Sequence, residues 1–507
     1  MPDLRLADLL AALSVTTDLA MGQVPEKAIR ACVVGTEVAR HLNLPEPEVA
    51  DVYYTTLLKH LGCTATSHEE TALFGPDELG FRRVAERTDT GDRREALRLL
   101  LMAGRGAGLG RARHLARVAI AGRKADEDIA HAICEVATLM ADRLRLGDAV
   151  RRALNENLER WDGTGGPRGL RGEEIALAAR VADPAAQAVI FHRLGGTEAV
   201  VAMLDRRAGT WFDPAIVQAF REVGPAALDR LDAEDPWTAV LAAEPEPIRR
   251  IARDRLEEVA RAFGDMVDLK TPFTLGHASG VAELATAAAR ALGEGDAEVR
   301  LAGFLHDLGR AAVSAGTWER RGSLTTAAWE EVRLHAYHTE RILSRSPALE
   351  PLARIAGMHH ERQDGSGYHH GASGTAVPVG ARILAAADVY QAMTQPRPHR
   401  PALAADRAAE ELRSMARRGA LDPECARAVL DVVGHSSPRT AWPAGLSDRE
   451  VEVLRLIARG LSNREIATAL TISPRTAEHH VQHIYAKIGV STRAGAAMFS
   501  MEHALLR

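Results

Sequence analysis

The chain of 507 residues has few cysteines, few aromatic residues and no long apolar run. Its four cysteines are scattered and form no Cys-x-x-Cys pair, which argues against a disulfide framework and a structural zinc site and fits a reducing compartment. No apolar run approaches the roughly 20 residues that are needed to span a bilayer. The first residues, MPDLRLADLLAAL, lack the basic region and long apolar core of a signal peptide. We therefore expect a cytoplasmic protein without a membrane partner.

Charge and composition set further bounds. A formal net charge of −5 gives no reason to expect attraction of the whole chain to nucleic acid or to acidic membranes. Hydrophobic residues make up 46% of the sequence but aromatic residues only 4%, which is typical of an aliphatic, helix-rich protein. The length suggests about three domains, each large enough for a core of its own.

The most informative pattern is a set of histidines and aspartates between residues 277 and 388. Its members are His277, His306, Asp307, His335, His359, His360 and Asp388. Neutral imidazoles and carboxylates together suit first-row ions such as iron, manganese or zinc. These groups exceed what one tetrahedral ion needs, so the pattern predicts two ions that share bridging ligands. Such a centre is typical of enzymes that hydrolyse phosphate esters.

Three of these positions are ambiguous when they are taken singly. His277 and His335 could each be a satisfied core histidine, and Asp388 could be ion-paired with an arginine. An unpaired carboxylate on the apolar face that surrounds Asp388 would be costly to bury. The set together favours metal ligation. The segments that carry most of it have helical periodicity, namely 299–310, 330–343 and 379–393.

Three motifs carry a family resemblance: LHDLG, HHERQDGSGY (359–368) and ADVYQAMTQPRPHR (387–400). They resemble the HD-GYP subgroup of HD-domain phosphohydrolases, and the order and spacing match over residues 246–435. The resemblance implies an all-helical fold and hydrolysis of the bacterial messenger cyclic di-GMP. It also implies that the seven residues above are metal ligands, with Asp307 as a catalytic residue that bridges the ions. We expect two divalent ions, iron or manganese, with zinc as an alternative.

The sequence departs from the family around the expected substrate. Arg310 stands where the family has a lysine that meets the substrate phosphate, and Arg320-Arg321-Gly322 replaces a lysine-proline-glycine turn. Arginine keeps the positive charge but presents it as a planar fork. The resemblance implies a catalytic role for Arg310, and it implies substrate binding by Arg310, Arg320, Gly365, Gly367 and Tyr368.

Two further departures bear on the metal site and its neighbouring turn. His369 replaces the proline that closes the GYP signature, and this loosens the turn without removing a ligand. Phe273 stands four residues before His277, where some members place a glutamate for a third metal. The second departure is the reason for expecting two ions.

Residues 446–493 resemble a LuxR-type helix-turn-helix. A first helix follows a serine or aspartate cap and stops at Gly460, and a second is capped by Ser462 or Asn463. Pro474 suits the first position of a third helix, which runs to about Lys487. This third helix is the expected recognition helix in the major groove of double-stranded DNA.

The third predicted helix has an apolar and a polar face. Ala477, Val481, Ile484 and Ile488 recur at helical spacing and should face the core. The resemblance implies base reading by Glu478, His479 and Gln482 and phosphate contacts by Arg475, Thr476 and Lys487. The alternative is a solvated face of an ordinary three-helix bundle. Because residues 446–507 are only mildly basic, we expect weak binding by one module and a homodimer on DNA.

The first 235 residues resemble a degraded copy of the same phosphohydrolase unit. Residues 154–175 align with 358–377, and residues 51–63 align with the segment around His306. The ligand positions of this copy hold Lys27, Lys59, His60, Asn157, Leu158 and, less clearly, Ala186. Lysines and aliphatic side chains cannot rebuild a dimetal site, so we expect no metal here. This half is either a ligand-sensing or dimerising pseudo-domain or a packing platform that binds nothing.

The sequence thus predicts an all-α protein of three parts. They are a degenerate HD-type domain (1–235), a metal-binding HD-GYP-like domain (246–435) and a DNA-binding module (446–507), joined by connectors at 232–250 and 434–445. The predicted function is a transcriptional regulator whose phosphohydrolase domain acts on cyclic di-GMP or a related nucleotide. One alternative is a catalytically silent domain that senses a nucleotide or metal and controls DNA binding. Another is a general HD-type nucleotidase.

Overall fold

A computed structural model describes residues 4–105, 107–434, 442–470 and 472–506. The fold is all-α, as the sequence predicts, and it divides into two compact units, Met1–Arg255 and Leu256–Arg507. Within the described residues, one two-stranded sheet is present, in which β1 (Leu4–Arg5) pairs antiparallel with β2 (Arg250–Ile251). No helix in the described part of the chain is long and apolar enough to cross a membrane. The four cysteines are free and buried.

The first unit is built from helices that surround an aliphatic core. In chain order they are α1 (Leu6–Ala20), α2 (Lys27–His41), α3 (Glu46–Leu57), α4 (Ser67–Phe74), α5 (Glu78–Ala85), α6 (Arg93–Leu100), α7 (Arg111–Arg143), α8 (Asp148–Asn155), α9 (Leu177–Arg207), α10 (Pro214–Ala233) and α11 (Pro236–Ala243). Helix α9 is interrupted at Gly195 and Gly196, whose backbone angles are not helical.

The segment predicted as a connector, 232–250, is part of the first unit. Asp235 caps α11 with its side chain, and the proline after it occupies the first turn of that helix. Val240 is buried, and its carbonyl accepts a hydrogen bond of 3.0 Å from the Tyr53 hydroxyl. The predicted domain boundary at residue 235 therefore lies inside a folded unit that extends to Arg255. The acidic, proline-bearing composition specifies a helix start here and not a linker.

The second unit continues the helical numbering. Its helices are α12 (Leu256–Asp268), α13 (His277–Leu292), α14 (Asp296–Leu305), α15 (Ala315–Trp318), α16 (Thr326–Leu343), α17 (Glu350–Gly357), α18 (Val379–Thr394), α19 (Ala405–Arg417), α20 (Pro423–Val432), α21 (Asp448–Ala458), α22 (Asn463–Leu470), α23 (Pro474–Ile488) and α24 (Arg493–Glu502). The helices predicted over 330–343 and 379–393 are present as α16 and α18. The helix predicted over 299–310 ends at Leu305 and is followed by a 3₁₀ turn over Leu308–Ala312.

Two close backbone approaches position the segment that follows α14. A Cβ on Gly303 would lie 2.5 Å from the Cα of Ala282 on α13. A Cβ on Gly309 would lie 2.0 Å from the carbonyl oxygen of His335 on α16. Glycine is required at both positions because any side chain would collide with backbone. These contacts bring residues 306 and 307 against both α13 and α16.

The C-terminal helices α21 to α24 enclose a small aliphatic core. Its buried members include Val453, Leu454, Ile466, Val481 and Ile484. Ser447 and Glu450 form a capping box at the start of α21, and the Ser473 hydroxyl caps α23. Gly489 ends α23 in the left-handed conformation. Of the predicted linker 434–445, residues 435–441 lie outside the described residues.

Candidate functional site

Five segments that are distant in the sequence bring the predicted metal ligands together. His277 begins α13, His306 and Asp307 follow α14, and His335 lies on α16. The doublet at 359–360 follows α17, and Asp388 lies on α18. All of these side chains are buried except that of His360, which is partly exposed.

The donor atoms of six of these residues form two groups of three. The first group is His277, His306 and Asp388, and the second is His335, His359 and His360. Within each group the donor atoms lie within 4.8 Å of one another. In the first group, Nε2 of His277 lies 3.1 Å from Oδ1 of Asp388. Each group therefore has the composition and spacing to hold one ion.

The carboxylate of Asp307 lies between the two groups. Its Oδ2 is 3.7 Å from Nε2 of His277 and 3.5 Å from Nε2 of His306. Its Oδ1 is 3.3 Å from Nε2 of His335 and 3.7 Å from Nε2 of His359. One carboxylate thus presents one oxygen to each group, which is the arrangement of a bridging ligand.

Backbone carbonyls fix the tautomers of three of the histidines. The Nδ1 atoms of His306, His335 and His359 contact the carbonyl oxygens of Gly303, Val332 and Ala356 at 2.8, 2.5 and 2.6 Å. Because a carbonyl only accepts, each Nδ1 carries a proton, and in the neutral ring the Nε2 lone pair then points to the interior. Nε2 of His306 is buried and has no hydrogen-bond partner among the residues that the structure describes. This donor set fits cations, since only a cation satisfies several inward lone pairs at once.

Burial and neighbouring groups set the charge of the centre. Burial lowers the pKa of His277, lowers that of His359 to about 4 and lowers that of His360 well below its usual value. Burial raises the pKa of both carboxyls. For Asp307 the charges of His306 and Arg310 outweigh it, and the pKa falls well below its usual value. For Asp388, the hydrogen bond with His277 outweighs burial, and the pKa of this carboxyl also falls well below its usual value. The centre thus combines the ionised carboxylates of Asp307 and Asp388 with three histidines whose lowered pKa values favour the neutral form that binds metal.

A cavity of about 770 Å³ opens over the two groups. Of the predicted substrate-binding residues, Arg310, Arg320 and Tyr368 line it. Gly365 and Gly367 are not among its lining residues. A Cβ on Gly367 would lie 2.6 Å from the Cα of Glu361, so this glycine permits the close approach that shapes the loop.

Arg310 is held between a carboxylate and an aromatic ring. Its Nη1 donates to Oδ2 of Asp307 at 2.9 Å, and its guanidinium carbon lies 4.0 Å from the ring centre of Trp318. The planar guanidinium suits this stacked position better than an ammonium would. Arg310 therefore faces the cavity directly beside the carboxylate that lies between the two groups.

Several cavity residues have no role assigned from the sequence. They are Trp318, Arg321, Trp329, Arg397, His399 and Arg400. Nη1 of Arg397 donates to the Phe273 carbonyl at 2.7 Å, and burial together with the charge of Arg310 lowers its pKa to about 10. Arg397 and Arg400 lie within the motif 387–400 that resembles the family, so the sequence already carried a signal for these two arginines. The tryptophans lie in segments without a motif.

The predicted DNA-reading side chains lie on the open face of α23. Arg475, Thr476, Glu478, His479 and Gln482 are exposed, while Ala477, Val481 and Ile484 are buried in the core of the module. Lys487 differs from the other predicted phosphate contacts. Its Nζ forms an ion pair of 2.8 Å with Glu450 and donates to the Gly445 carbonyl at 3.1 Å. Lys487 therefore ties α23 to the start of the module.

Internal ion pairs occupy the corresponding positions of the first unit. Lys59 pairs with Asp183 at 2.9 Å, and His60 contacts Glu86 at 2.9 Å. Lys27 pairs with the same glutamate. Asn157 donates to the Lys59 carbonyl at 2.7 Å, and the next two predicted positions hold the aliphatic residues Leu158 and Ala186. In the described part of this unit, no three His, Cys, Asp or Glu donors converge as they do in the second.

One further equivalence is visible only in the structure. In the first unit, a Cβ on Gly62 would lie 2.0 Å from the carbonyl oxygen of Ile133. In the second unit, a Cβ on Gly309 would lie 2.0 Å from the carbonyl oxygen of His335. Ile133 on α7 therefore stands where the second unit has the histidine of α16. No motif in the sequence marks Ile133 as the equivalent of His335.

Comparisons with known proteins agree with both parts of the second unit. The model described as "HD domain" matches residues 261–425, and that described as "Bacterial regulatory proteins, luxR family" matches residues 444–500. The fold is thus that of an HD-domain protein with a LuxR-type helix-turn-helix. The chain belongs to the HD-GYP subgroup of HD-domain phosphohydrolases.

Named relatives cover different shares of the chain. The 3'3'-cGAMP-specific phosphodiesterase 3 of Vibrio cholerae is 32% identical over 428 residues, which are 83% of this chain and 93% of that protein. The cyclic di-GMP phosphodiesterase response regulator RpfG of Xanthomonas campestris is 37% identical over 196 residues, 38% of this chain and 50% of that protein. The crystal structure of the Vibrio cholerae cyclic GMP-AMP specific phosphodiesterase V-cGAP3 has a TM-score of 0.61 and 28% identity, covering 86% of this chain and 99% of that one.

Proposed function

We propose that the part of residues 246–435 that lies in the second unit forms a metal-dependent phosphodiesterase that hydrolyses a cyclic dinucleotide, with 3'3'-cGAMP and cyclic di-GMP as the first substrates to test. The observation that carries this proposal is the position of Asp307, whose two oxygens face separate groups of three donors. The names of the relatives indicate the substrate class, since they hydrolyse 3'3'-cGAMP or cyclic di-GMP.

Two divalent ions, iron or manganese with zinc as an alternative, would be held by the seven ligands. His277, His306 and Asp388 would hold one ion, the histidines at 335, 359 and 360 the other, and Asp307 would bridge them. When bound, the ions would lower the pKa of water and neutralise charge on the phosphoryl group. Hydrogen bonds from Nδ1 to backbone carbonyls would keep three of the imidazoles in the required orientation.

The side chains over the centre suit a ligand with more than one phosphate and with flat bases. Positive charge comes from Arg310, Arg320, Arg321, Arg397 and Arg400. Flat aromatic surfaces come from Trp318, Trp329 and Tyr368. A monomeric phosphate ester would use only part of this lining. The lining therefore favours a cyclic dinucleotide over the substrate of a general nucleotidase.

The C-terminal module would bind double-stranded DNA, and a contact with the HD domain supports regulation through it. Nη2 of Arg261 on α12 donates to the carbonyls of Met501 and Glu502 at 3.3 and 2.5 Å. A Cβ on Gly276, directly before the ligand His277, would lie 3.7 Å from Leu506. The end of the DNA-binding module is thus in contact with α12 and with the residue that precedes α13, the helix that begins with the predicted ligand His277. We infer that a nucleotide bound at the centre changes DNA binding. We also infer that the chain binds DNA as a homodimer and that it does so in the bacterial cytoplasm.

We also propose that the first unit is a metal-free, degenerate copy of the second. Two arrangements recur in both units. In each unit an aspartate accepts a hydrogen bond from the backbone amide ten residues later, namely Asp18 from Ala28 and Asp268 from Ala278. Each unit also has an arginine–aspartate ion pair, Arg180–Asp213 at 2.7 Å and Arg382–Asp422 at 2.8 Å. The lysines at its ligand positions are neutralised by internal acids. This pairing supports a structural role for the two lysines.

The proposal is tested with the variant His306→Ala/Asp307→Ala of the full chain. Turnover of 3'3'-cGAMP and cyclic di-GMP should disappear together with the bound metal, while the DNA affinity of the module without nucleotide should persist. Full hydrolysis by the variant would refute the metal-site assignment. Bound metal without turnover in the unaltered protein would favour the receptor alternative, in which nucleotide binding controls DNA affinity without hydrolysis.

A further inference from the structure

A second cluster of metal-binding side chains lies beside the centre. His369 and His370 follow Tyr368 in the loop, and Glu340 lies on α16. Nε2 of His369 is 3.0 Å and Nε2 of His370 is 2.7 Å from the same oxygen, Oε2 of Glu340. Neither the histidines nor the glutamate line the cavity, and none belongs to the seven predicted ligands. The cluster includes the histidine that departs from the GYP signature.

The composition of this cluster is that of a zinc-type site. Two imidazoles and one carboxylate form the protein ligand set of many zinc centres, in which water or another ligand takes the fourth position. The donor atoms all lie within 4.8 Å of one another. The side chains of His369, Glu340 and His370 are 15%, 24% and 31% exposed, so an ion can enter from solvent.

Two protonated rings on one carboxylate oxygen would be unfavourable, whereas two neutral rings either donate to that oxygen or bind an ion together with it. The ring centres of His369 and His370 are 4.1 Å apart, so two protonated rings would place like charges side by side. One carboxylate balances only one of these charges. Two neutral rings could instead present both Nε2 lone pairs and the carboxylate oxygen to a single divalent ion. Such an ion relieves the repulsion and uses all three donors.

We propose that Glu340, His369 and His370 bind a divalent ion of zinc type at a third metal site, separate from the dinuclear centre. The ion would join α16 to the loop that follows Tyr368. Helix α16 carries His335, and the ring centre of His335 lies 6.1 Å from the ring centre of Tyr368. The third site would therefore fix the aromatic wall of the cavity against a helix that supplies a ligand. It would replace the rigidity that proline gives the signature elsewhere in the family.

The contact between Arg333 and the loop supports this role. Nη2 of Arg333, also on α16, donates to the Gly367 carbonyl at 2.9 Å. Its guanidinium carbon lies 5.4 Å from the ring centre of Tyr368. The loop is thus already seated on α16 at one end, and the proposed ion would hold the following residues to the same helix.

The test is zinc stoichiometry in the full chain after metals are stripped and zinc is restored. The variant His369→Ala/His370→Ala should bind one zinc fewer per chain than its parent. The same loss is expected in the His306→Ala/Asp307→Ala background, where the dinuclear centre is disrupted. His480→Ala on α23 is the control for removal of a histidine outside both sites, and it should leave the stoichiometry unchanged. Equal stoichiometry in parent and variant, in both backgrounds, would overturn the proposal.

A second variant guards against misfolding. Glu340→Gln keeps the size and hydrogen-bonding capacity of the side chain but removes its charge, and it should weaken zinc binding at this site at least tenfold. Cobalt(II) can be added in place of zinc to the His306→Ala/Asp307→Ala protein, in which the dinuclear centre is disrupted. This protein should show the intense visible bands of a tetrahedral site. The bands should be absent when Glu340→Gln is added to it. Unchanged affinity and spectra would contradict the assignment. The readout is metal binding, so it stands or fails independently of hydrolysis by the dinuclear centre.

Discussion

His335 and His359 place their Nε2 atoms 3.3 Å apart, while the Nδ1 atom of each ring is held by a backbone carbonyl. Two nitrogens that are both acceptors have no reason to approach one another in a buried site unless a cation lies near both. The Asp307 carboxylate adds a third acceptor to the same region, 3.3 Å from Nε2 of His335. This geometry supports the proposed metal ions, and it predicts that exchange of Asp307 reduces metal binding.

Removing the charge of the bridging carboxylate should disrupt the dinuclear centre. Asp307→Asn keeps the side-chain size but cannot balance two cations. We expect loss of at least one bound ion and a fall in kcat/KM greater than about 100-fold, because loss of a mere outer-shell partner already costs about 10- to 100-fold. Metal analysis and steady-state turnover of 3'3'-cGAMP provide the measurement. Retention of both ions and of turnover would show that Asp307 does not bridge.

The guanidinium of Arg310 should contribute through its charge and its stacked position. We expect Arg310→Ala to lower kcat/KM by about 10- to 150-fold, the effect of one charge-assisted hydrogen bond. Arg310→Lys keeps the charge but loses the stacking on Trp318, so its loss should be smaller. Arg300→Ala on α14, whose partner is Glu257, is the matched control outside the cavity. An alanine variant as active as this control would exclude Arg310 from substrate binding.

The contact between Arg261 and α24 should restrain the DNA-binding module. Arg261→Ala removes hydrogen bonds to two carbonyls, each worth about 1 kcal/mol. We expect DNA affinity, measured on an operator selected in vitro, to rise by up to about 30-fold, the equivalent of about 2 kcal/mol, while metal content stays the same. Arg413→Ala on α19, which pairs only with Glu410 at 3.8 Å among the described residues, serves as the control. If DNA affinity is the same in both variants, the contact does not regulate the module.

The first unit should lose stability in acid through His60. Burial, together with the charge of Lys27, lowers the pKa of His60 to about 4 from an ordinary value near 6.5. Between these values the unfolded chain binds a proton that the folded chain does not, so stability is present above pH 6.5 and is lost as the pH falls towards 4. The loss is at most about 3 kcal/mol.

The variant His60→Gln isolates this effect, because glutamine has no charge to gain. Urea unfolding of the first unit can be followed by labelling of its buried thiol Cys32 with a reagent that reacts in acid. The unaltered protein should lose more stability between pH 6.5 and pH 4.5 than the variant. Parallel pH profiles for the two proteins would contradict a depressed pKa at His60.

Much of the ligand set could be predicted from the sequence because its doublets and spacing carry the chemistry. The cap at Ser447 and the turn before Pro474 followed from local rules in the same way. Contacts between distant segments could not be predicted. The ion pair between Lys487 and Glu450, which lie on different helices, is one example. The acidic, proline-bearing segment 232–250 was assigned as a linker, although Val240 within it packs into the first unit.

The cavity wall illustrates the same limit. Trp318 and Trp329 follow no motif, and only the fold of α15 and α16 brings them over the metal ligands. Similarly, Ile133 could not be matched to His335 from the sequence, because long helices of different sequence carry the two residues. A glycine that contacts a carbonyl in each unit reveals the correspondence.

The central claim is best tested by the metal content and 3'3'-cGAMP turnover of protein purified without oxygen. We predict close to two iron or manganese ions per chain at the dinuclear centre, with hydrolysis that Asp307→Asn removes. Protein that binds neither ion when both are supplied, and that leaves 3'3'-cGAMP and cyclic di-GMP intact, would contradict the account.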